Sequence, residues 1–329
     1  MSRGVFSMYF PVSGIEVRPA LPLVVAFVIS FVTSMGGMSG AFLLLPFQVS
    51  VLGFTSPAVS PTNLIFNIVA IPSGVYRYTR EGRMAWPLTW VIIVGTLPGV
   101  AIGAIIRIKY LPNPRAFKLF VGCVLLYIGV RMLYELVQKK GLGKEKIKAM
   151  EEKFKQRVVQ IRQKRKAKVA AGLPADAVVK TVSASIHRIE YDFYGETYAF
   201  NTWGLLLLTF IVGIVGGTYG IGGGAIIAPF LITFYSLPVY TIAGSALMGT
   251  FLTSVVGVGI YTVMAPIYAH TGLAIAPDWK LGILLGIGGF AGMYCGSRAQ
   301  KFVPGKVIRC ILGLLITFLA LQYVLQYFY

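Results

Sequence analysis

From Asn201 to Pro277 the chain carries no Asp, Glu, Lys or Arg. Soluble domains keep about 25% charged residues, and an uncharged run of this length belongs in lipid. The whole chain agrees: of 329 residues, 56% are hydrophobic and 12% charged, with mean hydropathy +0.75. A soluble domain is therefore excluded. The run contains Gly220-Ile221-Gly222-Gly223-Gly224-Ala225, which fits a dinucleotide fingerprint. That fingerprint needs a soluble strand–turn–helix and an acidic residue about twenty positions on. Neither is present, so these glycines serve another purpose.

Apolar segments fall into two sets of five. The first comprises 21–35, 40–52, 57–76, 86–106 and 117–137. The second comprises 203–219, 223–235, 239–265, 279–295 and 307–327. Within each set the first two segments are short for a membrane crossing, which takes about 20 residues, and the other three are long enough. The sets are related. "SMGGMSGAFLLLPF" from Ser34 aligns with "GTYGIGGGAIIAPF" from Gly217, so Gly37 matches Gly220 (220 − 37 = 183). The same offset pairs Gly40 with Gly223, Pro46 with Pro229, Asn63 with Ala246 and Asn67 with Thr250. Trp86, Gly99 and Gly103 then match Trp279, Gly292 and Gly296 (292 − 99 = 193).

The expected fold is an all-α polytopic membrane protein. It has two inverted repeats, each a broken-helix hairpin plus three full transmembrane helices. Residues 1–18 form an N-terminal segment, 19–138 the first repeat, 139–200 a basic cytoplasmic linker and 201–329 the second repeat. The net charge of +19 is concentrated between Lys139 and Arg188. In a membrane protein such a cluster marks a cytoplasmic loop rather than a nucleic-acid surface. Phe154, Val158 and Ile161 recur there at helical spacing among basic residues, as in a surface helix on anionic lipid. Fixing the linker inside puts the loops holding Arg77, Arg80 and Arg83, and Arg298, Lys301 and Lys306, inside as well. It puts Arg107, Lys109, Arg115 and Lys118 in an external loop, against the positive-inside tendency. The expected location is the cell (inner) membrane, multi-pass, and a homodimer is left open.

In each half the glycines separate two short helices. A helix that stops within a membrane must place its free backbone groups against protein or a water-filled cavity. Glycine permits the turn, and the resuming helix presents N–H groups and partial positive charge, suited to an anion. The Ser39–Gly40 and Gly222–Gly224 turns are expected to face each other. Gly99, Gly103, Gly292 and Gly296 read instead as close helix packing.

These paired glycine turns, each followed by "LPF" or "APF" and later by a "W…G…G" helix, resemble the TauE/SafE sulfite-exporter family of membrane permeases. The resemblance spans about Leu21 to Leu325. It implies transport of sulfite, sulfonates such as sulfoacetate, or related small sulfur oxyanions. The long basic linker departs from the shorter loop of compact members.

A buried oxyanion needs hydrogen-bond donors. The substrate-binding candidates are Ser39, Asn63, Asn67, Ser245 and Thr250, with backbone N–H groups of Gly40, Gly222 and Gly223. The competing reading for each is a helix cap or an interhelical hydrogen bond. No proton carrier is visible within the spans: Glu81, Glu135 and Asp278 lie at span ends, and His187 and His270 in loops. Cys123, Cys295 and Cys310 lie in apolar stretches and form no metal or disulfide pattern. No catalytic constellation, metal site or cofactor is expected. The reading is a secondary carrier with small-anion substrate and lipid partners and no nucleic acid; the alternatives are an anion-selective channel or a membrane accessory subunit.

Overall fold

The computed structural model describes residues 7–137, 178–193, 196–235, 237–300, 303 and 305–328. A β-hairpin of β1 (Met8–Phe10) and β2 (Ile15–Val17) leads into α1 (Ala20–Met35), α2 (Ala41–Ser50), α3 (Val59–Arg80), α4 (Trp86–Lys109) and α5 (Pro114–Val137). Strands β3 (Lys180–Ala184), β4 (Arg188–Phe193) and β5 (Glu196–Asn201) form an antiparallel sheet in the order β3-β4-β5. Five helices follow: α6 (Thr202–Tyr219), α7 (Ile227–Tyr235), α8 (Val239–Ile267), α9 (Trp279–Ala299) and α10 (Gly305–Phe328).

The strands correct the all-α expectation. "RIEYDF" alternates polar and apolar residues, and β4 buries Ile189, Tyr191 and Phe193. Much of the polypeptide expected as linker after Val178 is thus a folded sheet. It is anchored to the helices by Tyr191 Oη and Thr241 Oγ1 at 2.9 Å, and by Val179 N donating to Gly82 O. The proposed basic surface helix around Phe154, Val158 and Ile161 lies outside the described residues.

Helix pairing follows the repeat. In α9, Gly288, Gly292 and Gly296 lie against the backbone of Leu23, Phe27 and Phe31 in α1. In α4, Gly95, Gly99 and Gly103 lie against Leu206, Phe210 and Ile214 in α6. A Cβ at Gly292 would overlap the Phe27 carbonyl, and one at Gly99 the Phe210 carbonyl. These glycines therefore bring backbones together, as their spacing predicts. The α3–α9 pair has its counterpart in α8–α4, and α3–α8 and α5–α10 complete the main pairings. Leu64 lies against Gly257 and Tyr78 against Gly244, so α3 and α8 run antiparallel. Gly122 faces Tyr323 and Gly129 faces Thr317, so α5 and α10 do too.

Among the described residues five helices are long and apolar enough to cross a membrane: α4, α5 through Tyr134, α6, α8 from Tyr240, and α10 from Cys310. Two helices, α3 and α9, fall short of expectation for one reason, and α6 exceeds it. Helices α3 and α9, expected as full spans, have the length at 22 and 21 residues but are not among these five. Much of α3 is packed against protein, burying Asn63, Asn67 and Ser73, and α9 packs through glycines, so lipid does not dictate their composition. Conversely, α6 was expected to be short yet qualifies, although it ends in a glycine turn. Trp90, Val94, Leu207 and Phe318 point outward, exposing apolar surface suited to lipid. The three cysteines are also on the outside.

Candidate functional site

Because α1 and α9 run parallel and α9 runs parallel to α3, the short α2 carries the chain back between α1 and α3. The α1–α2 unit is a helical hairpin, and α6–α7 is its counterpart. Both tips turn through the same backbone device. Gly37 and Gly220 adopt φ of +72° and +83°, where a side chain would be strained. Met38 N returns to Thr33 O at 3.2 Å, and Ile221 N to Gly216 O at 3.0 Å, closing the two helix ends alike. Gly37 sits on Ala243 and Gly220 on Ser60, which are themselves repeat-equivalent positions (243 − 60 = 183).

After each turn the chain returns to the middle of the long helices. There α2 begins beside Phe66 and Asn67 of α3, and the Gly223–Gly224 turn lies beside Thr250 of α8 and Thr96 of α4. Two asparagines of α3, one helical turn apart, tie the tips together. Asn63 Nδ2 donates to Ala41 O at 3.0 Å and to Gly220 O at 2.9 Å, while its Oδ1 accepts from Gln48 Nε2 at 3.1 Å. Asn67 Nδ2 donates to Ile221 O at 2.9 Å and to Ser254 Oγ at 3.1 Å, and its Oδ1 accepts from Ser39 Oγ. A third tie follows from Pro46. Proline has no N–H, so the Phe42 carbonyl one turn earlier lacks its helical donor; Tyr219 Oη supplies one at 2.7 Å.

The structure gathers Ser39, Gly40, Asn63, Asn67, Gly222, Gly223 and Thr250 around these tips. Gly222 lies against Thr250 and Ser254, and Gly223 N donates to Thr253 Oγ1 at 3.0 Å. Ser245 is placed elsewhere. It pairs with Thr89 Oγ1 and Ala85 O, nine residues and about 13 Å along α8 from Ser254. Two features differ from the simple picture of exposed donors. Both asparagine N–H groups are already spent on protein acceptors. The faces of Gly40, Gly222 and Gly223 are filled by neighbouring side chains, Ser30 and Phe66, Thr250 and Ser254, and Thr96 respectively. Ser39 also accepts from Ala41 N at 3.2 Å, capping α2.

Buried charge lies at the ends of the bundle. Arg83 is fully buried and paired with Glu81 at 2.7 Å; Glu81 also meets Arg77 at 2.8 Å. Arg83 Nη1 reaches Gln300 Oε1 at 2.8 Å. Asp278 caps α9 through Leu281 N and accepts from Ser13. At the opposite end from Arg83, Arg107 is fully buried within α4 rather than in a loop, which corrects that part of its expected place. Among the described residues no group of three or more His, Cys, Asp or Glu could hold a metal.

A helical bundle with five helices, among the described residues, long and apolar enough to cross a membrane, and with apolar side chains facing outward, is that of an integral membrane protein. The sulfite exporter TauE/SafE family profile matches residues 22–323, nearly the whole chain. The chain belongs to that family, a family of membrane transporters. No curated protein and no solved structure matches it.

Proposed function

We propose that this protein is a secondary carrier for small sulfur oxyanions such as sulfite, sulfonates or sulfoacetate, working in the cell (inner) membrane. The anion is held near the bilayer midplane between the two re-entrant tips, by the N–H groups at Gly40, Gly222 and Gly223 with Ser39 and Thr250. The observation that carries this reading is that both hairpins are joined through Asn63 and Asn67 of α3. An inverted repeat is supported by the antiparallel course of α3 with α8 and of α5 with α10, the equivalent helices of the two halves. Such a plan allows two mirrored openings around one site.

In this arrangement the tips are closed on each other, and the asparagines act as the clasp. Binding the anion requires the clasp to loosen, so that helix-start amides face the ligand in place of a neighbouring residue. Arg83, Glu81 and Asp278 are engaged in structural pairings, so anion gradient and membrane potential are the proposed driving forces. The basic linker, held in the cytoplasm against anionic lipid, is an accessory to transport.

The test uses small changes that preserve packing. Ser39→Ala removes the cap of α2 and one side of the clasp; Ser245→Ala, remote from the tips, is the comparison. Sulfite affinity of the purified protein is expected to fall at least tenfold for Ser39→Ala and to stay within about twofold for Ser245→Ala. Equal affinity for a folded Ser39→Ala protein and the parent would move the site away from the tips.

A further inference from the structure

Among the described residues two arginines are completely buried, Arg83 and Arg107. Arg83 has a carboxylate partner in Glu81. Arg107 has none among the described residues. Its Nη1 donates to the Leu111 carbonyl and its Nε to Ser60 Oγ at 3.3 Å. The guanidinium lies over the Phe117 ring at 3.7 Å. Its Nη2 is buried without a hydrogen-bond partner, and the buried hydroxyl of Tyr261 beside it has Ser60 as its polar neighbour. Burying a charge with no counter-ion costs several kcal/mol, and each unmet buried donor adds to that cost.

We infer that Arg107, Tyr261 and Ser60 form a second anion-binding site, at the end of the bundle opposite Arg83, for a singly charged small oxyanion. The unmet N–H groups of Nη2 point to that ligand class, with the neighbouring hydroxyls of Tyr261 and Ser60 beside them as further donors; the Ser60 oxygen already accepts from Nε. One guanidinium charge balances one anion charge. Ser60 also touches Gly220, the turn of the second helical hairpin, with its Oγ 2.6 Å from where a Cβ would stand. The site is thus joined to the moving part of the path and serves as its receiving or releasing station. The repeat sharpens the contrast. Tyr78 and Tyr261 are equivalent (261 − 78 = 183), as are Arg107 and Gln300 (300 − 107 = 193). At one end Tyr78 donates to Gln300 Oε1 at 3.2 Å, and the buried Arg83 is ion-paired with Glu81. At the other end the matching tyrosine stands beside an arginine with no acid.

The station role rests on the carrier reading, whereas anion binding at Arg107 is tested separately from it. The experiment measures sulfite binding and the sulfite-induced rise in melting temperature for purified full-length protein, together with sulfite flux in liposomes. The variants are Tyr261→Phe and Arg107→Gln. Tyr261→Phe should bind sulfite at least tenfold more weakly at this site while keeping the parent's melting temperature without sulfite. Arg107→Gln should lose this site's binding and, without sulfite, melt no lower than the parent, because an uncompensated charge has been removed. Parent-like sulfite binding by folded Tyr261→Phe overturns the inference, even if Arg107→Gln fails to fold. So does an Arg107→Gln protein that melts lower yet retains the full sulfite response, since that marks a structural arginine. A parent that binds sulfite through these residues but moves none would leave this site standing and defeat the carrier reading. Normal flux with unaltered binding in both variants would do the reverse.

Discussion

Replacing Asn67 with alanine removes the residue that joins three elements at the tips. Its side chain is fully buried and makes three hydrogen bonds, to Ile221 O, Ser254 Oγ and Ser39 Oγ. The Ser39 hydroxyl can rotate toward another acceptor, and Ser254 Oγ loses only an accepted bond. The Ile221 carbonyl is fixed in the turn after Gly220 and stays without its donor. A net hydrogen bond contributes about 1 kcal/mol, and a stranded buried group costs about 1–3 kcal/mol. The expected destabilisation is therefore about 2–4 kcal/mol, reached through the clasp rather than through ligand contact. Asn67→Asp should be at least as harmful, because it sets a carboxylate against the Ile221 carbonyl. The assay is unfolding of detergent-purified protein by denaturant, paired with sulfite titration of the folded fraction. An Asn67→Ala protein as stable as the parent but deficient in sulfite binding would refute this reasoning, and the amide would then be a direct ligand.

The helix-packing glycines should behave differently: Gly292→Ala forces α1 and α9 apart at the Phe27 carbonyl. It is expected to cost about 1–3 kcal/mol of stability with sulfite affinity held within about twofold, checked by the same two measurements. Alkali should loosen the sheet. Burial raises the Tyr191 hydroxyl well above its ordinary value, and burial with nearby Glu196 pushes Tyr198 up to about 12. The folded state holds these protons more tightly than the unfolded chain, so their contribution is intact below about pH 10 and is lost as pH rises through the raised values. Tyr191→Phe should shift the alkaline unfolding midpoint of purified protein upward; an unchanged midpoint would exclude Tyr191 as its source. Single cysteines placed near Lys166 and near Ser7, with Cys123, Cys295 and Cys310 replaced, should label from the cytoplasmic and external faces respectively. Labelling of both from one face would contradict the proposed topology.

The repeat was legible because both halves solve one steric problem. Gly37 and Gly220 must turn left-handed, and Gly99, Gly103, Gly292 and Gly296 must admit a backbone, so few substitutions survive at either copy. The apolar segments likewise gave helix limits within a few residues. Charge counting hid two things. It merged the alternating "RIEYDF" strand into a basic linker, although period two was present in the letters. It also placed Arg107 in a loop, since a basic residue at a span end looks the same whether it faces water or turns inward. The coincidence of Tyr78 with Tyr261, and of Arg107 with Gln300, was the available signal for a polar cluster at each end. Asn63 and Asn67 were recognisable as important polar groups, but not what their donors bond to. Two of those partners, Gly220 O and Ile221 O, are carbonyls of the other half, and only the folded chain brings them within reach. Ser245 shares α8 with Thr250 and Ser254 but lies too far along the axis to join them.

The carrier reading is tested most directly by counterflow. Purified protein is reconstituted into liposomes loaded with unlabelled sulfite, and entry of labelled sulfite is followed from outside. The account predicts uptake that saturates with external sulfite, rises transiently above equilibrium, and is faster with sulfite inside than without. Uptake proportional to concentration and indifferent to internal sulfite would contradict it and identify a channel.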